Sequence, residues 1–139
     1  MSALAESVRR FLDEQVLGVL ATRSGDGRVH QSAVYFVREG DELLISTESK
    51  RRKARDVEET GWASICVIGH ERPFPSVTLS GRAEIRRAEI GGATARIAQR
   101  MLALEQPPEP QSDEALAGAD RVILVIAAER VGPASYLEG

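Results

Sequence analysis

Groups that do chemistry from their own side chains are scarce in this chain. Its 139 residues include one cysteine, Cys66, and two histidines, His30 and His70. A single cysteine excludes a disulfide framework and points to a reducing compartment, and its place in an apolar run suits a small buried hydrophobe. His30 and His70 fall in different predicted elements, and His70 lies in a turn where solvation accounts for it. No H-E-x-x-H, C-x-x-C or clustered His, Cys and Asp offers metal-ligand spacing, so no metal site is expected. No G-x-S-x-G is present, and Cys66 has no neighbouring base, so no catalytic side chain is expected. Residues 1–13 interleave Glu6, Arg9, Arg10 and Asp13 with apolar residues, unlike a signal peptide, and no apolar stretch reaches membrane-spanning length. These absences predict a soluble, cytoplasmic protein without membrane contact. Aromatics make up only 4% and net charge is −3, which argues against a nucleic-acid surface.

What is present suits one domain over residues 1–139: 42% hydrophobic and 28% charged residues, enough for a single core. Leu4, Val8, Phe11 and Leu12 recur at helical spacing, so residues 3–15 are predicted to form an amphipathic helix. Strands are predicted at 16–23, 29–37 and 42–47, with turns at Ser24-Gly25-Asp26-Gly27 and Glu39-Gly40-Asp41. After a basic helix ending near Thr60, strands follow at 62–68 and 75–86. Trp62 is expected in the core. Residues 90–104 carry a helical stripe of Ile90, Ile97, Met101 and Leu104, and three prolines make 106–112 a loop. Residues 121–131 form a last strand, apolar on both faces from Val122 to Ile126, as in the middle of a sheet. The sum is an α+β fold, a six-stranded antiparallel barrel with peripheral helices.

One junction stands out. The strand ending Ile45-Ser46-Thr47 passes at once into Lys50, Arg51, Arg52, Lys53 and Arg55. With Thr47 or Ser49 as the cap, these cations occupy the first turns of a helix, the wrong sign for its dipole. An anion in front of the free backbone N–H groups offsets that cost, and the hydroxyls of Ser46, Thr47 and Ser49 complete a phosphate site. A solvated basic face has the same charge pattern. A phosphate site without acid–base groups suits a cofactor that carries the reaction while the protein positions it.

The hairpin Leu17-Gly18-Val19-Leu20-Ala21-Thr22-Arg23 … Val29-His30-Gln31-Ser32-Ala33-Val34-Tyr35-Phe36 resembles the opening of the pyridoxamine-5′-phosphate-oxidase-like split-barrel flavin-binding proteins. The segment from Ile45 to Val57 is similar to their phosphate-binding junction, and those from Arg72 to Ile85 and Arg121 to Val131 to later strands. The Arg-Arg-Lys-x-Arg cluster most resembles the branch that uses the deazaflavin coenzyme F-420. Two departures are Asp56, where that branch usually has Asn, and Val29, where Pro is common. Asp56 then either opposes the phosphate or pairs with Arg52 or Arg55.

The resemblance implies a split barrel with two cofactor sites at a homodimer interface. It places Ser46, Thr47, Arg51, Arg52 and Lys53 at the cofactor's phosphate and His30, Ser32, Ala33 and Val34 along its tricyclic ring. Phe74, Pro75 and Ser76 border the cofactor, some of these residues serving the partner's site. The activity implied is hydride transfer between coenzyme F-420 and a small organic substrate. An FMN-binding oxidase or reductase and a non-catalytic carrier are the alternatives. Residues 86–120 and 132–139, where the resemblance is weakest, are expected to shape the substrate pocket.

Overall fold

The structure, a computed structural model, describes residues 4–137. β1 (Leu17–Arg23) and β2 (Val29–Tyr35) form the expected hairpin, where Ser24 N–H bonds Arg28 O and Gly27 takes φ +89°. β3 (Val37–Glu39), β4 (Glu42–Glu48), β5 (Trp62–Ile68), β6 (Ser76–Arg86), β7 (Arg121–Ala127) and β8 (Arg130–Ser135) complete a curled antiparallel half-barrel. Strand order is β2-β1-β5-β6-β7-β4-β3, with β8 added to β6. β6 joins the two halves of the sheet: its start pairs with β5 and its end, from Ala83, with β7. Gly81 stands at the change-over, where a Cβ would lie 2.1 Å from Ala127 O.

Alternation along the strands sends Leu20, Phe36, Leu43, Ile45, Ile65 and Leu79 into one core. Helix α1 (Glu6–Glu14) closes it with Val8, Phe11 and Leu12. A second apolar cluster lies on the other face of β4 and β7. There α3 (Gly91–Met101) and α4 (Asp113–Gly118) pack Ile97 and Leu116 against Leu44, Ile123 and Val125. β7 is therefore buried on both faces, as its continuous apolar run predicted. Helix α2 (Arg52–Thr60) buries Ala54, Asp56 and Val57, and Gly61 ends it in the left-handed region at φ 66°.

The fold class is the predicted one, with eight strands in place of six. The strand expected over 29–37 breaks at Phe36, whose ring is fully buried, and β3 then pairs with β4. The last strand stops at Ala127. Ala128 N–H reaches Asp41 O and Glu129 N–H reaches Ser80 O, which turns the chain back along β6 as β8. α3 ends at Met101, so Met101 and Leu104 are exposed rather than part of a buried stripe. Trp62 is half-buried, with the Arg23 guanidinium 4.7 Å above its ring.

Candidate functional site

The basic junction is assembled from three places in the chain. β4 ends at Glu48, and Arg51 N–H closes a turn on Glu48 O. Asp120, just before β7, holds that turn. Its backbone carbonyl accepts from Ser49 N–H, and its carboxylate accepts from the Ser49 hydroxyl and from Lys50 N–H. The Ser49 hydrogen bond, followed by those from the Lys50 amide and the charge of Lys50, holds the Asp120 carboxyl below the usual range. Neither Thr47 nor Ser49 caps α2. Arg51 is the N-cap residue, no side chain bonds there, and no acidic residue sits in the first turn. The first N–H groups of α2 and their dipole are thus open to an anion.

The cations around that end differ in their engagement. Arg51 and Lys50 share Glu48, at 3.0 and 3.4 Å. Arg52 and Lys53 have no carboxylate partner among the described residues. Burial, together with the charge of Arg51, pushes the Lys53 ammonium down from its usual value. A desolvated cation without a counter-ion is held at a cost that a bound anion would offset.

Two cavities meet at Lys53. The first, about 440 Å³, is lined by Thr22, His30, Ser32, Arg51, Arg52 and Lys53. The second, about 390 Å³, takes Val34, Ser46, Lys53, Ile97, Met101 and Arg121 into its wall. β2 borders both in sequence order, residues 30–32 the first and 33–35 the second. Pairing of Thr22 with His30, Leu20 with Ser32 and Gly18 with Val34 puts these β2 side chains on one face. The result is a groove with a cationic, hydroxyl-bearing end and a more apolar end. Its cationic end suits a phosphate or another anion, and its other end an apolar group. Among the described residues no group of three or more His, Cys, Asp or Glu is placed to hold a metal.

Of the residues picked out from the sequence, His30, Ser32, Arg51, Arg52 and Lys53 share the first cavity, and Ala33, Val34, Ser46 and Lys53 the second. Thr47 is buried on the opposite side of β4 from Ser46 and lines neither. Phe74, Pro75 and Ser76 lie apart from both. Phe74 is exposed beneath the Arg72 guanidinium, and Ser76 begins β6. Asp56 differs from both sequence expectations, since it neither faces the basic cluster nor pairs with Arg52 or Arg55. Its side chain is buried behind the first cavity, where Thr22 Oγ1 donates to Oδ2 at 2.9 Å and His30 Nε2 stands 4.0 Å from the same oxygen. Sequence reasoning missed Arg121, whose Nη2 donates to Ser46 Oγ at 2.7 Å. Its only sequence signal is a charge opening an apolar strand.

No helix among the described residues is long and apolar enough to cross a membrane. A search of curated proteins gives no match. Among solved structures, an F-420 reductase is 26% identical with TM-score 0.73, over 93% of this chain and 98% of that one. A conserved hypothetical protein from Mycobacterium tuberculosis is similar at 22% identity and TM-score 0.72, covering 94% and 84%. A heme storage protein from Vibrio cholerae has 20% identity and TM-score 0.68, covering 96% of each. These last two likenesses concern the fold alone. The profile described as pyridoxamine 5′-phosphate oxidase matches residues 4–133, nearly the whole length, and the chain belongs to that family.

Proposed function

We propose that this chain is an oxidoreductase that binds coenzyme F-420 as a homodimer and serves hydride transfer between that cofactor and a small organic substrate. The observation that carries this reading is the pair Arg52 and Lys53, without carboxylate partners, beside the uncapped start of α2 and facing Ser32 and His30 across one cavity. The 26% identity to an F-420 reductase over nearly the whole of both chains supports the choice of cofactor. When bound, the deazaflavin supplies two-electron hydride chemistry.

The chain's own residues then have defined tasks. Arg51, Arg52 and Lys53 hold the phosphate, aided by the α2 N–H groups and the Ser32 hydroxyl. Ala33 and Val34 set the height of the ring along β2. The apolar side chains of α3 keep water from the reacting face, so orientation and desolvation are the protein's contribution to rate. FMN carries the same phosphate and a similar tricycle, which makes it the second reading for the same cradle.

Support for the dimer comes from the outer face of the sheet. Ala33, Val19, Cys66 and Thr78 form a row across β2, β1, β5 and β6, with Leu17 and Ile68 exposed beside it. A face of small side chains with Leu17, Val19 and Ile68 exposed on it suits a symmetric pairing of two copies. Ser76 pairs with Ile68 at the rim of this face. In such a dimer Phe74, Pro75 and Ser76 would take the place beside the partner's groove that the resemblance gives them. Titration with F-420 and with FMN tests the reading. Tight F-420 binding with oxidation of its reduced form by an acceptor panel supports it, and binding without turnover makes the protein a carrier.

A further inference from the structure

Arg121 opens β7 directly opposite Glu48 of β4. Facing residues of opposite charge on antiparallel strands ordinarily pair. Here they do not. The Glu48 carboxylate is engaged by Arg51 and Lys50, and the Arg121 guanidinium turns into the second cavity toward Ser46 Oγ. A guanidinium has five N–H donors in a planar fork, and no carboxylate takes this fork among the described residues. The cavity itself has no acidic lining residue, so nothing in its wall neutralises Arg121. The remainder of the wall is largely apolar: Val34 from β2, with Ile97, Ala98 and Met101 from α3. Met101 stands half in solvent at the mouth, where an unbranched thioether adapts to different apolar outlines.

We propose that this cavity selects an anionic substrate, a carboxylate on a flat apolar body, with the carboxylate taken by the Arg121 fork. As a substrate site this rests on the F-420 reading: the cofactor's phosphate then takes Lys53 and the first cavity, its ring runs along Ala33 and Val34 on the β2 wall, and the substrate takes the α3 side of the second cavity beside Arg121. Arg121 supplies the remaining charge. Arg121 is thus a specificity-determining residue, and its bond to Ser46 sets the fork's direction.

The test compares 2-naphthoate with its uncharged isostere 2-naphthamide by calorimetry, using the full chain with and without F-420. The wild type should bind the acid at least about tenfold more tightly, the scale of one charge-assisted hydrogen bond. Arg121→Met keeps the apolar stem and loses the fork. It should abolish that preference while leaving amide affinity unchanged, with the melting temperature showing that the variant is folded. Equal affinity for acid and amide in the wild type overturns the proposal and needs no variant to be folded. A preference that survives in Arg121→Met overturns it as well. An acid preference lost in Arg121→Met, in a chain that fails to bind F-420, supports the anion site and removes only the cofactor assignment.

Discussion

Lys53 lines both cavities, and its behaviour separates a binding role from a structural one. Lys53→Ala should weaken F-420 binding by about 1.5–3 kcal/mol, as a lost charge-assisted hydrogen bond does. Stability of the free chain should hold or rise slightly, because a cation is removed from the positive end of α2. Paired fluorescence titration and urea denaturation check both outcomes, and a large loss of unliganded stability would make Lys53 structural. Burial and Arg51 lower the Lys53 pKa in the folded chain, so at alkaline pH the unfolded chain holds that proton longer. Stability without ligand should therefore climb as pH rises from the folded toward the ordinary lysine value. Anion affinity should fall over the same interval, and Lys53→Met should abolish both trends. Asp56 answers to a different measurement. Asp56→Ala strands the buried Thr22 hydroxyl and should cost about 1–3 kcal/mol in denaturation, whereas Asp56→Asn retains an acceptor and should cost less. The basic cluster was legible because charge at a helix start is a local pattern. The engagement of Asp56 by Thr22 and of Ser46 by Arg121 was not, since each joins residues far apart in sequence.

Among the elements, those with a clear period were the readable ones: the β1–β2 hairpin, β5, and β7 with its unbroken apolar run. The misses share a physical cause. α4 has six residues, too few to repeat a stripe, and β8 contains Gly132 and Pro133 and is mostly exposed, so neither carries a burial pattern. The break at Phe36 is made by the core that receives the ring, which local sequence does not encode. β6 was readable as a strand, but its exchange of partners was not. Gly81 marks that exchange, and its role can be measured. Gly81→Ala places a methyl against the Ala127 carbonyl, so backbone rather than a flexible side chain must move. A loss of about 1–3 kcal/mol or more in chemical denaturation is expected. Wild-type stability in this variant would mean that the two halves of the sheet separate there at no cost.

For the whole molecule, the outer sheet face is the proposed seat of the dimer, in which Phe74, Pro75 and Ser76 would meet a second copy. Light scattering should give twice the 15.1 kDa chain mass. Val19→Lys should yield a monomer that stays folded, because Val19 is already 38% exposed and points away from the core. A wild-type monomer would remove the face from the account. The central claim is that Arg52 and Lys53 await a cofactor phosphate. Fluorescence titration of purified protein with F-420, set beside FMN, tests it most directly. The account predicts saturable F-420 binding that is tighter than FMN binding and is lost in an Arg52→Ala, Lys53→Ala double variant that remains folded. Binding of FMN alone, or F-420 binding unchanged in the double variant, would contradict it.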